Sequence, residues 1–587
     1  MGSVPGLMSV LDAVLAPVFD HFLPGASPVL RPSQRADFQA DGALQVSRAL
    51  GRAPREVAQE ILSLAMESGL AQMCEKAEVA GPGFINLTLS AGMLAGRLAQ
   101  LRPGAAGLGA PVPKRRLKVV VDYGGPNAAK QMHVGHLRSS IIGDAVARAL
   151  QAVGHEVVRE NHIGDWGANF GMLVEHLCDL GEDRGAEELA MGDLEAFYQA
   201  ARAQYDTDPA FAERARARVV LLQSGDPGTL RLWRHLVDAS VAHFDRDFHR
   251  LGVQLTRDDV VGESFYNPML EDVVGELAVA GLLVDSDGAR CVFPPGHTNR
   301  EGAPLPLIVQ NSAGGFTYAA TDLAAIKDRT QRIGADLIVY VVGLPQAEHF
   351  KMVFAVARMA GWLGPSTEAV HVGFGNVLGP DGKMFRTRQG GTVKLAELLQ
   401  EAEDRARALM VARTEQTGQQ LEGDLARTAA AVGVGAIKYA DLSTDRTRDY
   451  RFDWDRMLSF DGNTAPYIQY AHARVRSIFR RAGTAADLGA MAGSALPPEE
   501  DEERDLAKAV LGFGDALQSS IGSYSPHKLC GYLFDLASCF TRFYEKCRVL
   551  DVEPAELRAS RLALCAATGE VLAYGLGLLG IEAPERM

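Results

Sequence analysis

The run LKVVVDYGGPNAAKQMHVGHLRSSIIGD, residues 117–144, places His133 and His136 three positions apart with Gly135 between them. Its apolar start at 117–122 reads as a buried strand, which breaks at Gly124-Gly125-Pro126 before helical periodicity sets in near the histidines. A strand, a tight turn and a helix N-terminus in that order bind phosphate, because the first N–H groups of a helix lack partners and carry partial positive charge. Two imidazoles three residues apart lie on one helix face, so both can address the same phosphate group. Gly135 lets a nucleotide approach the backbone where a side chain would block it. The chemistry these residues indicate is that of an ATP-using enzyme.

Other segments bear on it. GKMFRTRQGG, residues 382–391, is a glycine-bracketed basic loop whose Lys383 and Arg386 can close over a triphosphate and stabilise charge during nucleotidyl transfer. An exposed basic turn is the plainer alternative. ENHIGDWGANFGM, residues 160–172, carries His162 and Asp165 off a strand end among glycines. There His162 either lines a ligand or is a packed, hydrogen-bonded residue. Two arginine clusters, 446/448/451 and 474/476/480/481, read either as RNA-facing patches or as solvated surface.

These residues need a scaffold, and 587 residues exceed one core, so three to four domains are expected. Residues 1–110 read as a separate α+β module, with helical periodicity in ADGALQVSRALG and REVAQEILSLAMESG and strand-like AGPGFINLTLS after them. Over 111–391, the apolar runs LKVVV, HEVVREN, ADLIVYVVG and EAVHVGFGNVL alternate with helical stretches. That is the pattern of a Rossmann-type α/β domain, a mostly parallel sheet with helices on both faces. A polar, helix-rich stretch at about 175–250 is expected outside the sheet as an insertion. Ligands of such sheets bind at the carboxyl ends of the strands, and His136, His162, Gln346 and Lys383 all follow strand ends. From 392 the periodicity is helical, giving a linking region at 392–460 and an all-α bundle at 461–587.

Composition narrows the class further. A net charge of −14 argues mildly against general nucleic-acid affinity, though a local basic face can still bind RNA. The seven cysteines form no CxxC pair and no Cys/His cluster, which suits reduced thiols in a cytoplasmic protein. No apolar stretch of about 18 residues is apparent, so no membrane span is expected. The opening MGSVPGLMSVLDAVLAPVFDHFLPG has acidic residues and no basic start, unlike a signal peptide.

Taken together, these words resemble a class I aminoacyl-tRNA synthetase, and within that class the arginyl-tRNA synthetase family. PNAAKQMHVGHLRSSIIGD, NHIGDWGANFGM, GKMFRTRQGGTVKL, AGPGFINLTLS, SFDGNTAPYIQYAHARVRSI and the closing LGIEAPERM are all similar to that family's sequences. The resemblance runs from about residue 37 to the last. It implies a ligase that activates arginine with ATP to arginyl-adenylate, releases pyrophosphate, and passes arginine to the 3′-terminal adenosine of its tRNA.

By position, the resemblance implies that His133, Gly135, His136, His349 and Lys383 hold ATP, with Lys383 the first lysine of a mobile KMSKS-type loop. Arg386 stands where that loop's second lysine would be, and Lys130 matches a lysine that compensates in many members. Asp122, Asn127, His162, Tyr318, Asp322 and Gln346 match residues that contact arginine. Asp122 replaces the family's usual glutamate, which implies a shorter reach or a bridging water. A guanidinium is a planar fork best read by acceptors in fixed geometry, which Tyr318 and Asp322, four apart at a helix start, can supply. The alternative for that pair is a helix cap with a packed aromatic.

The resemblance further implies Mg2+ carried by ATP with no metal held by the protein, no membrane, a cytoplasmic monomer, and arginine activation that needs bound tRNA. The N-terminal module would reach the tRNA elbow and the C-terminal bundle the anticodon. Tyr467, Tyr470 and Arg474 share one helix face and either meet splayed bases or belong to the bundle core. Two other functions compete: a related synthetase for a different amino acid, and an RNA-binding relative without catalysis.

Overall fold

In the computed structural model, which describes residues 4–181, 194–385, 392–417 and 424–587, regular apolar spacing shapes each region. The opening segment is a helix, Leu7–Phe22, that buries Leu7, Leu11, Leu15, Val18 and Phe19 along one stripe. It belongs to the N-terminal module, whose antiparallel sheet comprises β1 (Leu30–Pro32), β2 (Phe38–Ala40), β3 (Cys74–Ala80) and β4 (Phe84–Leu89) in the order β1-β2-β4-β3. The α+β character expected for this region is present.

The central sheet is wholly parallel. Its strands are β5 (Lys118–Asp122), β6 (Glu156–Glu160) and, later in the chain, Leu337–Tyr340 and Glu368–His371. Val119, Val120 and Val121 of β5 are all fully buried, yet Val119 and Val121 join one hydrophobic core and Val120 another. Side chains alternate across a strand, so an unbroken apolar run marks a strand covered on both faces. The helix Val134–Ala152 covers one face, and the helices Tyr318–Gln331 and Ala347–Met359 cover the other.

Between β6 and the rest of the sheet the chain leaves it. The helices Asn169–Leu180, Leu194–Thr207, Pro209–Gln223 and Pro227–Leu251 build a separate small core around Phe170, Phe197, Phe211 and Leu236. These helices lie outside the sheet, beginning a few residues before the polar stretch at about 175–250. An antiparallel sheet follows that the sequence did not announce: β7 (Val284–Ser286), β8 (Ala289–Val292) and β9 (Leu307–Gln310). Its strands are too short to show alternation. With these in place, the two later strands of the parallel sheet are β10 (Leu337–Tyr340) and β11 (Glu368–His371), and its order is β11-β10-β5-β6.

The C-terminal part is helical, as expected. The linking helix Leu425–Leu442 is a hub: Lys438 Nζ donates to the carbonyls of Leu251 and Gly580, at 2.7 and 2.6 Å, and Arg138 of the Val134–Ala152 helix pairs with Asp441 at 3.0 Å. Among the described residues one helix, Ala555–Leu578, is long and apolar enough by composition to cross a membrane, which corrects the expectation that no such stretch exists. It lies mostly buried in the bundle, and its Arg561 pairs with Glu503 at 2.6 Å. The N-terminal module docks on this bundle through Asp37, which accepts from Arg504 and Lys508, each at 2.8 Å.

Candidate active site

The glycine turn after β5 is pinned before the helix begins. Gly124 N–H donates to Ser139 Oγ and Gly125 N–H to Asn161 Oδ1, each at 2.9 Å, and Ser139 Oγ donates to the carbonyl of Val341 at 2.7 Å. Gly124 has φ +92° and a Cβ there would lie 3.0 Å from Asn161 Oδ1, so the turn requires glycine.

The two histidines cap the helix reciprocally. His133 is the N-cap, and its Nδ1 accepts from Gly135 N–H at 3.0 Å, while His136 Nδ1 accepts from His133 N–H at 3.1 Å. A ring nitrogen that accepts is unprotonated, so each neutral ring carries its hydrogen on Nε2. The rings lie 4.0 Å apart. Burial, then the neighbouring His133, pushes His136 down to about 3, and burial followed by the Lys130 charge lowers His133. The pair therefore stays neutral at ordinary pH and offers two Nε2–H donors at a positive helix end.

The basic loop is anchored on both flanks, and its far flank pairs with the chain at the histidine cap. On the near side, Phe385 N–H donates to the carbonyl of Val377 at 3.1 Å, and its ring stacks on Phe452 at 4.6 Å. On the far side, Val134 N–H donates to Val393 and Leu395 N–H to Met132, at 3.0 and 2.9 Å. Lys383 is exposed two residues before the first of these anchors, its N–H held by Asp381 Oδ1 at 3.1 Å. Arg386 lies outside the described residues. Lys130 extends over the ring of Tyr198 at 4.8 Å, within the electrostatic reach of both histidines.

The residues expected to read arginine gather at neighbouring strand ends. Asp122 closes β5, Asn127 and Gln346 are exposed, and Asn127 forms a bridge with Gly164. His162 stacks on Tyr266 at 5.5 Å, so it is packed on one side. Tyr318 is 74% exposed at the start of its helix, which overturns the alternative of a packed aromatic. Asp322, one turn on, accepts from His349 Nε2 at 2.6 Å. His349, expected on the ATP side, is thus engaged with the carboxylate meant for the guanidinium.

Two residues here escaped the sequence reading. Glu263 is half-buried, and its carboxyl is raised to about 7 by burial, then by the charges of Asp165 and Asp322. Arg329 is fully buried and pairs with Asp122 and Glu160, each at 2.7 Å. The only signal for Arg329 was its place seven residues after Asp322, on the same helix face.

In the bundle, Tyr467 packs against Phe534 at 5.6 Å and its hydroxyl meets Thr541 at 3.3 Å. Tyr470 is sandwiched by Arg413 and Arg474, at 4.6 and 5.0 Å. Of the arginine clusters, Arg446 is tied to the carbonyls of Gly373 and Tyr524, and Arg480 to that of Glu585.

A parallel sheet with a histidine-capped helix and a basic loop at its carboxyl edge is the catalytic architecture of a class I aminoacyl-tRNA synthetase. A family model described as tRNA synthetases class I (R), catalytic domain, matches residues 107–454. The DALR anticodon binding domain matches 468–587, and the Arginyl tRNA synthetase N terminal domain matches 10–89. Among curated sequences, the chain is 49% identical over 581 residues to an arginine–tRNA ligase of Thermobifida fusca, covering 99% of this chain and 98% of that one. It is 47% identical to that of Klebsiella pneumoniae strain 342 over 554 residues, 94% of each. Among solved structures, the arginyl-tRNA synthetase of Plasmodium falciparum superposes with a TM-score of 0.84 at 27% identity over all of both chains. That of Thermus thermophilus gives 0.81 at 26%, covering 99% of this chain and all of the other. The chain belongs to the arginyl-tRNA synthetase family.

Proposed function

We infer that the chain is an arginine–tRNA ligase. The observation that carries this is the His133/His136 pair, each ring accepting at Nδ1 so that its hydrogen is on Nε2, beside strand ends whose carboxylates suit a guanidinium. In the first step an arginine carboxylate oxygen attacks the α-phosphorus of ATP, and the bond to the bridging oxygen breaks to release pyrophosphate. The carboxylate is already a nucleophile, so alignment and charge neutralisation do the work and no general base is needed. His133, His136, Lys130 and Lys383 face the phosphates, and Arg386 supplies a second loop cation. In the second step a terminal ribose hydroxyl attacks the acyl carbon, AMP leaves with the bonding pair, and the hydroxyl proton passes to the departing phosphate.

On the arginine side, Tyr318 offers an open ring and Asp322 a carboxylate oriented by His349, with Asn127, His162 and Gln346 around the remaining polar groups. Mg2+ entering with the triphosphate would supply charge neutralisation there.

The transfer RNA spans the molecule in this reading, its elbow on the N-terminal module and its anticodon on the bundle face carrying Tyr470 and Arg474, with Tyr467 as packing beneath them. Binding of tRNA precedes arginine activation. The enzyme acts as a cytoplasmic monomer, and its seven free cysteines suit a reducing compartment. Charging of a total tRNA pool with each amino acid in turn tests the assignment. Attachment of arginine alone supports it, attachment of another amino acid indicates a synthetase of different specificity, and no attachment indicates a binding relative.

A further inference from the structure

Arg329 is outside every expected ATP or arginine contact, yet it ties together the strand ends beneath the pocket. Its Nη2 donates to Asp122 Oδ2 and its Nε to Glu160 Oε2, each at 2.7 Å. Asp122 closes β5 and Glu160 closes β6. The guanidinium carbon sits 4.9 Å from the ring centre of Tyr340, which closes β10. One side chain therefore fixes the carboxyl ends of three adjacent strands, where ligands of such sheets bind.

The same helix carries the pocket's outer wall. Asp322 and Arg329 are seven residues apart, about two turns, so they occupy one face of the helix that begins at Tyr318. The spacing between Asp122 and Asp322 is thereby set through a single rigid element. A buried ion pair is a poor source of stability, because apolar residues of similar volume do as well or better. Its position at the strand ends gives it another use. Two carboxylates share one guanidinium, which leaves a net negative charge under a pocket for a cation.

We propose that Arg329 is a positioning residue for arginine recognition: it holds Asp122 in one orientation, in register with Asp322, and the Asp122–Arg329–Glu160 set supplies the negative floor for the substrate's cationic groups. This rests on the arginine pocket proposed above. A lysine at 329 keeps the charge and loses the planar fork that reaches two carboxylates at once. Glu160 is buried and touches no substrate in this reading, so Glu160→Gln perturbs the set from behind.

The test is steady-state pyrophosphate exchange with saturating tRNA on Arg329→Lys and Glu160→Gln, with KM for arginine and for ATP, kcat per titrated active site, and Tm. Arg329→Lys is expected to raise the arginine KM about tenfold or more with the ATP KM within about twofold, as loss of ground-state binding requires. Glu160→Gln is expected to raise it about threefold in the same selective way. A folded variant with the wild-type arginine KM overturns the proposal, as do arginine and ATP KM values that rise in step. If Arg329→Lys does not fold, Glu160→Gln decides alone. A wild-type chain that exchanges with no arginine fails the functional reading instead, which the control reaction shows directly.

Discussion

His136 Nε2–H is one oriented donor, and its loss carries a known scale. His136→Ala should lower arginyl-adenylate formation roughly ten- to a thousand-fold, measured as single-turnover adenylation. Near-wild-type turnover would remove the residue from the site. Because its folded-state value is pushed down to about 3, by burial first, its neutral form is favoured in the fold. The stability it contributes is present above the ordinary value of 6.5 and is lost as pH falls through about 3, so it adds no inflection to activity between about pH 6 and 9. Glu263 behaves oppositely. Its carboxyl is raised to about 7, so its contribution is full below the ordinary 4.5 and is lost as pH rises through about 7. A cation bound beside Asp322 draws that value down again. Arginine binding near pH 7 should therefore release a fraction of a proton, seen as a binding enthalpy that changes with the ionisation enthalpy of the buffer. Glu263→Gln should abolish this dependence, and a buffer-independent wild-type enthalpy would contradict the coupling.

At the scale of elements, the basic loop depends on its anchors. Phe385→Ala removes the stack on Phe452 at the loop's base, a contact worth about 1 kcal/mol. Exchange kcat should fall several-fold while arginine affinity, measured calorimetrically, stays within about twofold. Equal loss of both would place the loop's base in the arginine pocket. What the sequence made legible here follows from locality. The parallel strands showed because both-face burial writes apolar runs such as Val119–Val121, and the helix start at His133 showed because turn and cap residues are adjacent in the chain. β7–β9 stayed hidden because three- and four-residue strands hold too little pattern. Arg329 stayed hidden because its partner Asp122 is 207 positions away, and Glu263 because its environment is assembled from Asp165 and Asp322 on other elements. Tyr467 and Tyr470 share a helix face, but only the packing of Phe534 and Arg413 separates their roles.

At the scale of the molecule, the N-terminal module and the bundle meet across Asp37. Burial opposes its ionisation, but hydrogen bonds from Lys508 and Leu89 N–H, with the charge of Arg504, hold the carboxyl below its ordinary value. Asp515 adds a cap from the bundle, accepting from Met8 N–H at 2.9 Å where Gly6 offers no side chain. Asp37→Asn should weaken this docking by about 2 kcal/mol, read as faster amide exchange at Leu89 and along 504–508 with the central sheet unchanged. In the wild type the docking is present above the ordinary carboxylate range and is lost as pH falls through the lowered value. Unchanged exchange in Asp37→Asn would assign the interface to apolar contacts alone. The whole assembly, N-terminal module, catalytic sheet and bundle, acts on one reaction, and ATP–pyrophosphate exchange measured with each amino acid, with and without tRNA, tests it most directly. Exchange with arginine alone, appearing only when tRNA is present and lost in His136→Ala, is the expected result. Exchange with another amino acid, or none with arginine under any condition, would contradict it.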